Sequence, residues 1–191
     1  MTHDAIVLDQ ELPGPSVADP PLEAAVPDPA QVFDEHGNYI WNTLRRLGVA
    51  RADLEDLTHD TFVAVFRSWD KYDTTRPLRP WLFVFALGVA SDYRRRARHR
   101  LEVSATEEPL DDAPSAVELL LLKERQVLAQ EALRNVPLNL RALLILHELD
   151  GSTVPEIAAA LEIPVATAYS RLRLARESFA RAARRLILRL R

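Results

Sequence analysis

The chain has 191 residues, 48% apolar and 27% charged, with a net charge of −4 and no cysteine. That composition can build real cores and excludes a disulfide framework or a thiolate metal site. No basic leader with a continuous apolar core opens it, and the longest apolar run, 81–90, is ten residues against the ~20 that span a bilayer, so a soluble, cytoplasmic protein is expected.

Residues 1–29 hold six prolines and six acids without apolar periodicity, which predicts a disordered acidic tail. Folded structure is expected from about Gln31, where Val32-Phe33, Tyr39-Ile40-Trp41, Leu44 and Leu47 recur at helical spacing and Gly48 offers a stop. A second helix runs from Asp53, as cap, to about Trp69. Its apolar stripe includes Leu54, Leu57, Phe62, Val65 and Phe66, with Glu55, Asp56 and Asp60 on the remainder. A polar loop, 70–77, leads into a third helix over about 79–98. That helix is apolar through Ala90 and arginine-rich after Tyr93, so one end belongs in a core and the other faces an anion.

Residues 101–116 carry five acids and two prolines and read as a linker. Helices over 117–134 and 138–149 follow, the second closed by the turn pair Asp150-Gly151. Thr153 with Glu156 has the form of a capping box. Ile157, Ala158 and Leu161 line one face, Ile163-Pro164 breaks the helix, and a last helix carries Arg171, Arg173 and Arg176. The pattern fits a helix-turn-helix whose second helix enters a DNA major groove. A plain helical hairpin with solvated arginines stays open at this point. The fold class is all-α, two small helical domains over 30–100 and 117–191 on a flexible acidic tether.

The net charge hides strong segregation. Residues 94–100 hold five arginines and no acid, and 164–191 hold eight arginines against Glu177 alone. Local fields, not the sum, govern attraction to phosphate. No catalytic constellation is visible. The five histidines (His3, His36, His59, His99, His147) lack metal-ligand spacing, and no Gly-rich phosphate loop or nucleophile elbow occurs. A binder is expected, with no enzyme activity, metal or cofactor.

Taken together, DLEDLTHDTFVAVFRSWDKYD (53–73), LRPWLFVFALGVASDYRRRARHR (78–100) and the block 132–176 around the helix-turn-helix resemble regions 2 and 4 of the extracytoplasmic-function sigma factors of bacterial RNA polymerase. The resemblance implies partners: core polymerase, duplex minus-35 DNA, a melted minus-10 strand and an anti-sigma factor. It also implies a function, directing polymerase to promoters and promoting minus-10 melting. Asp53, Glu55, Asp56, Asp60 and Phe62 stand where the family binds polymerase. Lys71, Tyr72, Arg76, Arg79, Arg94, Arg95, Arg96 and Arg98 stand where it captures the minus-10 strand. Ala166, Thr167, Ser170, Arg171, Arg173 and Arg176 stand where it reads the minus-35 duplex. Two departures are visible: Leu87-Gly88, where many relatives carry Arg-Asn, and Glu162 in the turn, where glycine is common. Trp81, Phe83 and Phe85 read as core. The alternative is a two-domain helix-turn-helix regulator that is not a polymerase subunit; a pure interaction protein would leave the arginines of 164–191 unexplained.

Overall fold

The computed structural model describes residues 28–101 and 117–189, and these are helices and turns without a strand. All but the last two residues of the expected tail, and all but the first of the expected linker, lie outside the described residues.

Helix α1 (Pro29–Leu47) starts two residues before Gln31, because Asp28 caps it: its Oδ1 accepts from the Ala30 N–H at 3.2 Å, and Pro29 takes the first position. Its missing N–H costs nothing there. The helix ends where Gly48 adopts φ 100°, so its N–H and that of Val49 reach back to the Leu44 carbonyl. Helix α2 (Leu54–Arg67) is shorter than the expected span, and Trp69–Lys71 forms a separate single turn. Asp53 does not cap α2: its backbone is already helical, and its Oδ2 instead accepts from Tyr93 Oη at 2.7 Å.

Helix α3 (Leu78–Leu101) buries Leu82, Phe83, Ala86 and Ala90, spaced one, three and four residues apart, against α1 and α2. Trp81 and Phe85 are half-buried beside that core. Gly88 lies on the opposite face, with open space where a Cβ would point. No packing constraint explains a glycine there.

In the second half, α4 (Val117–Arg134) and α5 (Leu138–Leu144) pack on α7 (Val165–Arg189), which also meets the short α6 (Val154–Ala160). The expected helix over 138–149 changes character at Ile145. There the turn widens, and Asp150 N–H and Ser152 N–H bond back to the carbonyls of Ile145 and Leu146.

The two helical bundles also pack on one another. One continuous set of buried side chains runs from Ile40, Leu44 and Phe83 to Leu143, Ile145 and Leu172, and α1 meets α4 and α5 while α3 meets α6. Arg141 sits at this seam, fully buried. Its Nε and Nη2 donate to the Val136 carbonyl at 3.2 and 2.9 Å, Nη2 also to the Arg134 carbonyl, and Nη1 to the Leu47 carbonyl at 2.7 Å. The carboxyl ends of α4 and α1 thus supply the partial negative charge that solvates the guanidinium. Burial, with Arg94 and Arg134 nearby, lowers its pKa to about 10, so it stays charged at neutral pH.

Two outcomes follow for thermal denaturation. Gly88→Ala raises stability by about 0.4–1 kcal/mol through the unfolded chain alone. Arg141→Leu costs about 3 kcal/mol or more, because several buried carbonyls lose their donor at once.

Candidate nucleic-acid interface

The helix-turn-helix is built from the capping box outward. Thr153 N–H donates to Glu156 Oε2 at 2.7 Å and Glu156 N–H to Thr153 Oγ1 at 3.4 Å, fixing the start of α6. The bonds that the Thr153 N–H and the Thr153 hydroxyl (2.8 Å) donate to Glu156 Oε2 hold that carboxyl below its ordinary range. Val154, Ile157 and Ala158 are buried against the core. The chain reverses at Glu162, whose φ of 52° is the left-handed conformation glycine usually supplies. Ile163 N–H closes the turn on the Ala158 carbonyl at 3.0 Å, and the Pro164 carbonyl accepts the first bond of α7, so Pro164 stands one residue ahead of that helix.

On α7, Ala168, Leu172 and Ala175 face the core, so the residues between them face out. Ala166, Ser170, Arg173 and Arg176 are exposed; Thr167 and Arg171 are partly covered at the edge of that face. The exposed arginines are held in place. Arg173 Nη1 pairs with Glu177 at 2.9 Å, and Arg176 bonds Glu148 at 2.7 Å. Exposed pairs of this kind contribute little to stability; their effect is to aim the guanidinium groups. Tyr169 is absent from the residues singled out by the sequence, yet it is 58% exposed on the same surface, next to exposed Val165. Its signal was helical phase: position 169 lies one residue past buried Ala168, which turns it outward.

The second basic surface is more divided than its sequence suggests. Lys71, Arg76, Arg79, Arg95 and Arg96 are exposed. Arg76 pairs with Asp73 at 3.1 Å, Arg95 with Asp92 at 3.1 Å, and the Arg79 guanidinium lies 5.5 Å over the Tyr39 ring. Tyr72 is not a free loop aromatic. Its ring stands 4.9 Å from Trp81 and 5.6 Å from Trp69, and its Oη donates to the Arg76 carbonyl at 2.8 Å. Arg94 departs from the run: it is only partly exposed, and its Nη1 lies 3.6 Å from where a Cβ on Gly48 would sit, at the carboxyl end of α1. Arg98 lies in α3, with its side chain outside the described residues.

A third surface is acidic. Glu55, Asp56 and Asp60 are exposed on one face of α2, beside His59. Glu55, Asp56 and His59 line a groove between α1 and α2 together with Phe33 and Trp41. Phe62, expected on this surface, is 1% exposed and belongs to the core. Phe33, 42% exposed and 4.8 Å from the Phe62 ring, is the apolar group that reaches solvent. Asp53, tied to Tyr93 and half-covered, is likewise less available than its neighbours. Among the described residues, no group of three or more His, Cys, Asp or Glu is arranged to hold a metal, and no helix is long and apolar enough to cross a membrane.

These surfaces coincide with recognisable sequence families. Residues 32–100 match the family model for sigma-70 region 2, and residues 116–179 that for sigma-70 region 4. The chain is similar to the RNA polymerase sigma factor CnrH of Cupriavidus metallidurans, at 32% identity over 155 residues, covering 76% of this chain and 81% of that one. It is similar to the ECF RNA polymerase sigma factor SigL of Mycobacterium tuberculosis, at 32% identity over 151 residues, covering 75% and 82%. Among solved structures it resembles CnrH in complex with the cytosolic domain of CnrY, with a TM-score of 0.55 and 27% identity over 83% of this chain and 90% of that one. The sigma factor RpoE of Bartonella quintana, bound to the anti-sigma factor NepR, shares the fold with a TM-score of 0.64 at 19% identity, over 81% and 96%.

Replacing Glu162 tests the turn. Glu162→Gly relieves the left-handed backbone and raises stability by up to about 1 kcal/mol in thermal melts.

Proposed function

The chain belongs to the extracytoplasmic-function group of the sigma-70 family, and from that premise we propose how its surfaces divide the work of promoter recognition. It is a sigma factor, which directs RNA polymerase to begin transcription at promoters; its partners are core polymerase and promoter DNA. Sigma factors are regulatory subunits rather than catalysts, and this chain is read as one that catalyses nothing and acts in the cytoplasm, where the polymerase is. The proposed division is residues 30–100 as region 2, 101–116 as linker and 117–191 as region 4, preceded by an acidic tail.

The observation that carries the reading is segregation of charge by element. Glu55, Asp56 and Asp60 stand on the outer face of α2 with no Lys or Arg until Arg67 at its end, whereas arginines dominate the second half of α3 and α7; the α2–α3 loop is mixed, with Lys71 and Arg76 beside Asp70 and Asp73. An acidic face with apolar Phe33 at its groove suits a basic protein surface, since complementary charge steers encounter and apolar contact gives hold. Glu55, Asp56, Asp60 and Phe33 are therefore assigned to polymerase.

Lys71, Arg76, Arg79, Arg95 and Arg96 are assigned to the phosphates of the melted minus-10 strand. The exposed side of the Tyr72 ring is the candidate stacking surface for one base, an interaction worth ~1–3 kcal/mol. Gly88 lets backbone approach closely but offers no hydrogen-bonding side chain, so minus-10 selection rests on the loop and the outer arginines.

Ala166, Ser170, Arg173 and Tyr169 are assigned to the floor of the minus-35 groove, with Thr167, Arg171 and Arg176 at its walls. Tyr169 and Val165 give that helix an apolar edge suited to a thymine methyl group. The solved CnrH structure contains the cytosolic domain of CnrY; we extend to this chain a regulatory partner of the same kind, an anti-sigma factor.

Run-off transcription with purified core polymerase over genomic fragments tests the assignment. Start sites that depend on added protein are expected. Asp56→Arg with Asp60→Arg should abolish them and core binding together, while binding to a minus-35 duplex persists. Tyr169→Ala should leave core binding intact and relax selection at one minus-35 position by about 1 kcal/mol or more. If core polymerase neither binds the chain nor changes its start sites, the helix-turn-helix regulator becomes the reading.

A further inference from the structure

The end of α7 runs past the residues matched to region 4, which stop at 179, and its charge balance changes there. Arg181, Arg184, Arg185 and Arg189 are all exposed. Unlike Arg173 and Arg176, none of the four meets a carboxylate among the described residues. Like charges four residues apart on a helix repel, so the pairs Arg181–Arg185 and Arg185–Arg189 work against the last turns of α7.

Three of these arginines border a groove. Arg181, Arg185 and Arg189 line one side, and the end of α4 with Pro137 lines the other. Ala182 and Leu186 add apolar lining. The acid at the groove, Glu131, is committed elsewhere: it lies 3.8 Å from Arg134 and accepts from Asn135 at 3.5 Å. A cationic groove with apolar lining suits an acidic chain that also carries aliphatic side chains. The spacing fits as well. Successive arginines stand about 6 Å apart along the helix axis, at 1.5 Å per residue, and alternate residues of an extended chain about 6.6 Å apart.

The protein supplies such a segment itself. Residues 1–27 carry Asp4, Asp9, Glu11, Asp19 and Glu23 and no Lys or Arg. Asp9 and Glu11 are two residues apart, flanked by Leu8 and Leu12. The segment has the reach. One guanidinium, that of Arg141, bonds both the Leu47 and the Val136 carbonyls, which sets the end of α4 beside the carboxyl end of α1. Asp28 caps the other end of α1, whose 19 residues make it about 28 Å long. From Leu12 to Asp28 the chain spans up to about 53 Å. Tethering raises the local concentration of this segment over any competitor that must arrive from solution.

We propose that the groove between α4 and the last turns of α7 is the docking site for the protein's own acidic segment around residues 8–12, with Asp9 and Glu11 on Arg181 and Arg185. Docked there, the two carboxylates offset the repulsion among the arginines and hold the end of α7 in helical form. The site lies beyond the residues assigned to the minus-35 element and does not depend on that assignment.

The test uses the full chain, which has no cysteine of its own. A nitroxide attached at Ser16→Cys reports docking as paramagnetic broadening of backbone amides, read by NMR against the reduced label. Amides of 131–136 and 178–189 should broaden in dilute buffer. The effect should vanish near 1 M salt, where the screening length falls to about 3 Å. Asp9→Arg with Glu11→Arg should abolish the broadening and speed amide exchange at 183–189 several-fold. Arg181→Glu with Arg185→Glu should also abolish the broadening, and all four substitutions together should restore it. The proposal is overturned if the wild-type groove is not broadened, or if either reversal leaves the broadening unchanged at wild-type helicity by circular dichroism. Broadening seen only between labelled and unlabelled copies would give the groove to a second copy and overturn it too. So would duplex DNA that shifts the groove amides while the label never approaches them, which would give the groove to nucleic acid.

Discussion

A guanidinium buried among backbone carbonyls is the interaction on which the arrangement of the two bundles depends. Arg141 has no carboxylate among its recorded hydrogen-bond partners; its bonds go to Leu47, Arg134 and Val136 carbonyls. Carbonyls at helix carboxyl ends are left without intrahelical donors and carry the negative pole of the helix dipole. One cation therefore satisfies the ends of two helices from different bundles. A leucine of similar volume would leave those carbonyls bare, and a lysine, with a point charge in place of a planar fork, could not reach three of them at once. The left-handed Gly48 and the turn that presents Asp150 bring the partner groups into place.

Around that seam, each bundle orients one surface by burying the opposite one. Ala168, Leu172 and Ala175 lock α7 to its neighbours, and this fixes which side of the helix faces solvent. Leu54, Leu57, Phe62 and Val65 do the same for α2, leaving its acids outward. The surface ion pairs at Arg173 and Arg176 then restrict long side chains that would otherwise sample many rotamers. Positioning of this kind lowers the entropy lost on binding more than it contributes to the fold.

Much of this was legible in the residues. Capping chemistry located α6 because Thr153 and Glu156 satisfy each other's backbone donors locally, with no help from the rest of the molecule. Periodicity located α1 and most of α2 for the same reason: an apolar stripe has one face to bury. What escaped was decided by contacts distant in sequence. Asp53 has the type and place of a helix cap, but Tyr93, forty residues away, takes its carboxylate. Phe62 sits among acids in sequence and yet points inward, where its ring meets Phe33 edge to face. Arg94 belongs to an arginine run, but its helical phase turns it toward α1 rather than out with Arg95 and Arg96. The shared core was hidden for a similar reason, since an acidic, proline-bearing linker reads as separation whether or not its ends come back together.

On the proposed assignment, one chain presents two distinct nucleic-acid surfaces to two separated elements of one promoter. Site-specific photocrosslinking within the polymerase–promoter complex tests it most directly, with probes at Ser170 on α7 and Lys71 in the α2–α3 loop. Ser170 is expected to label duplex near position −35 and Lys71 the melted strand near position −10 in the same complexes. Labelling of a single element by both probes, or of none by Lys71, would contradict it.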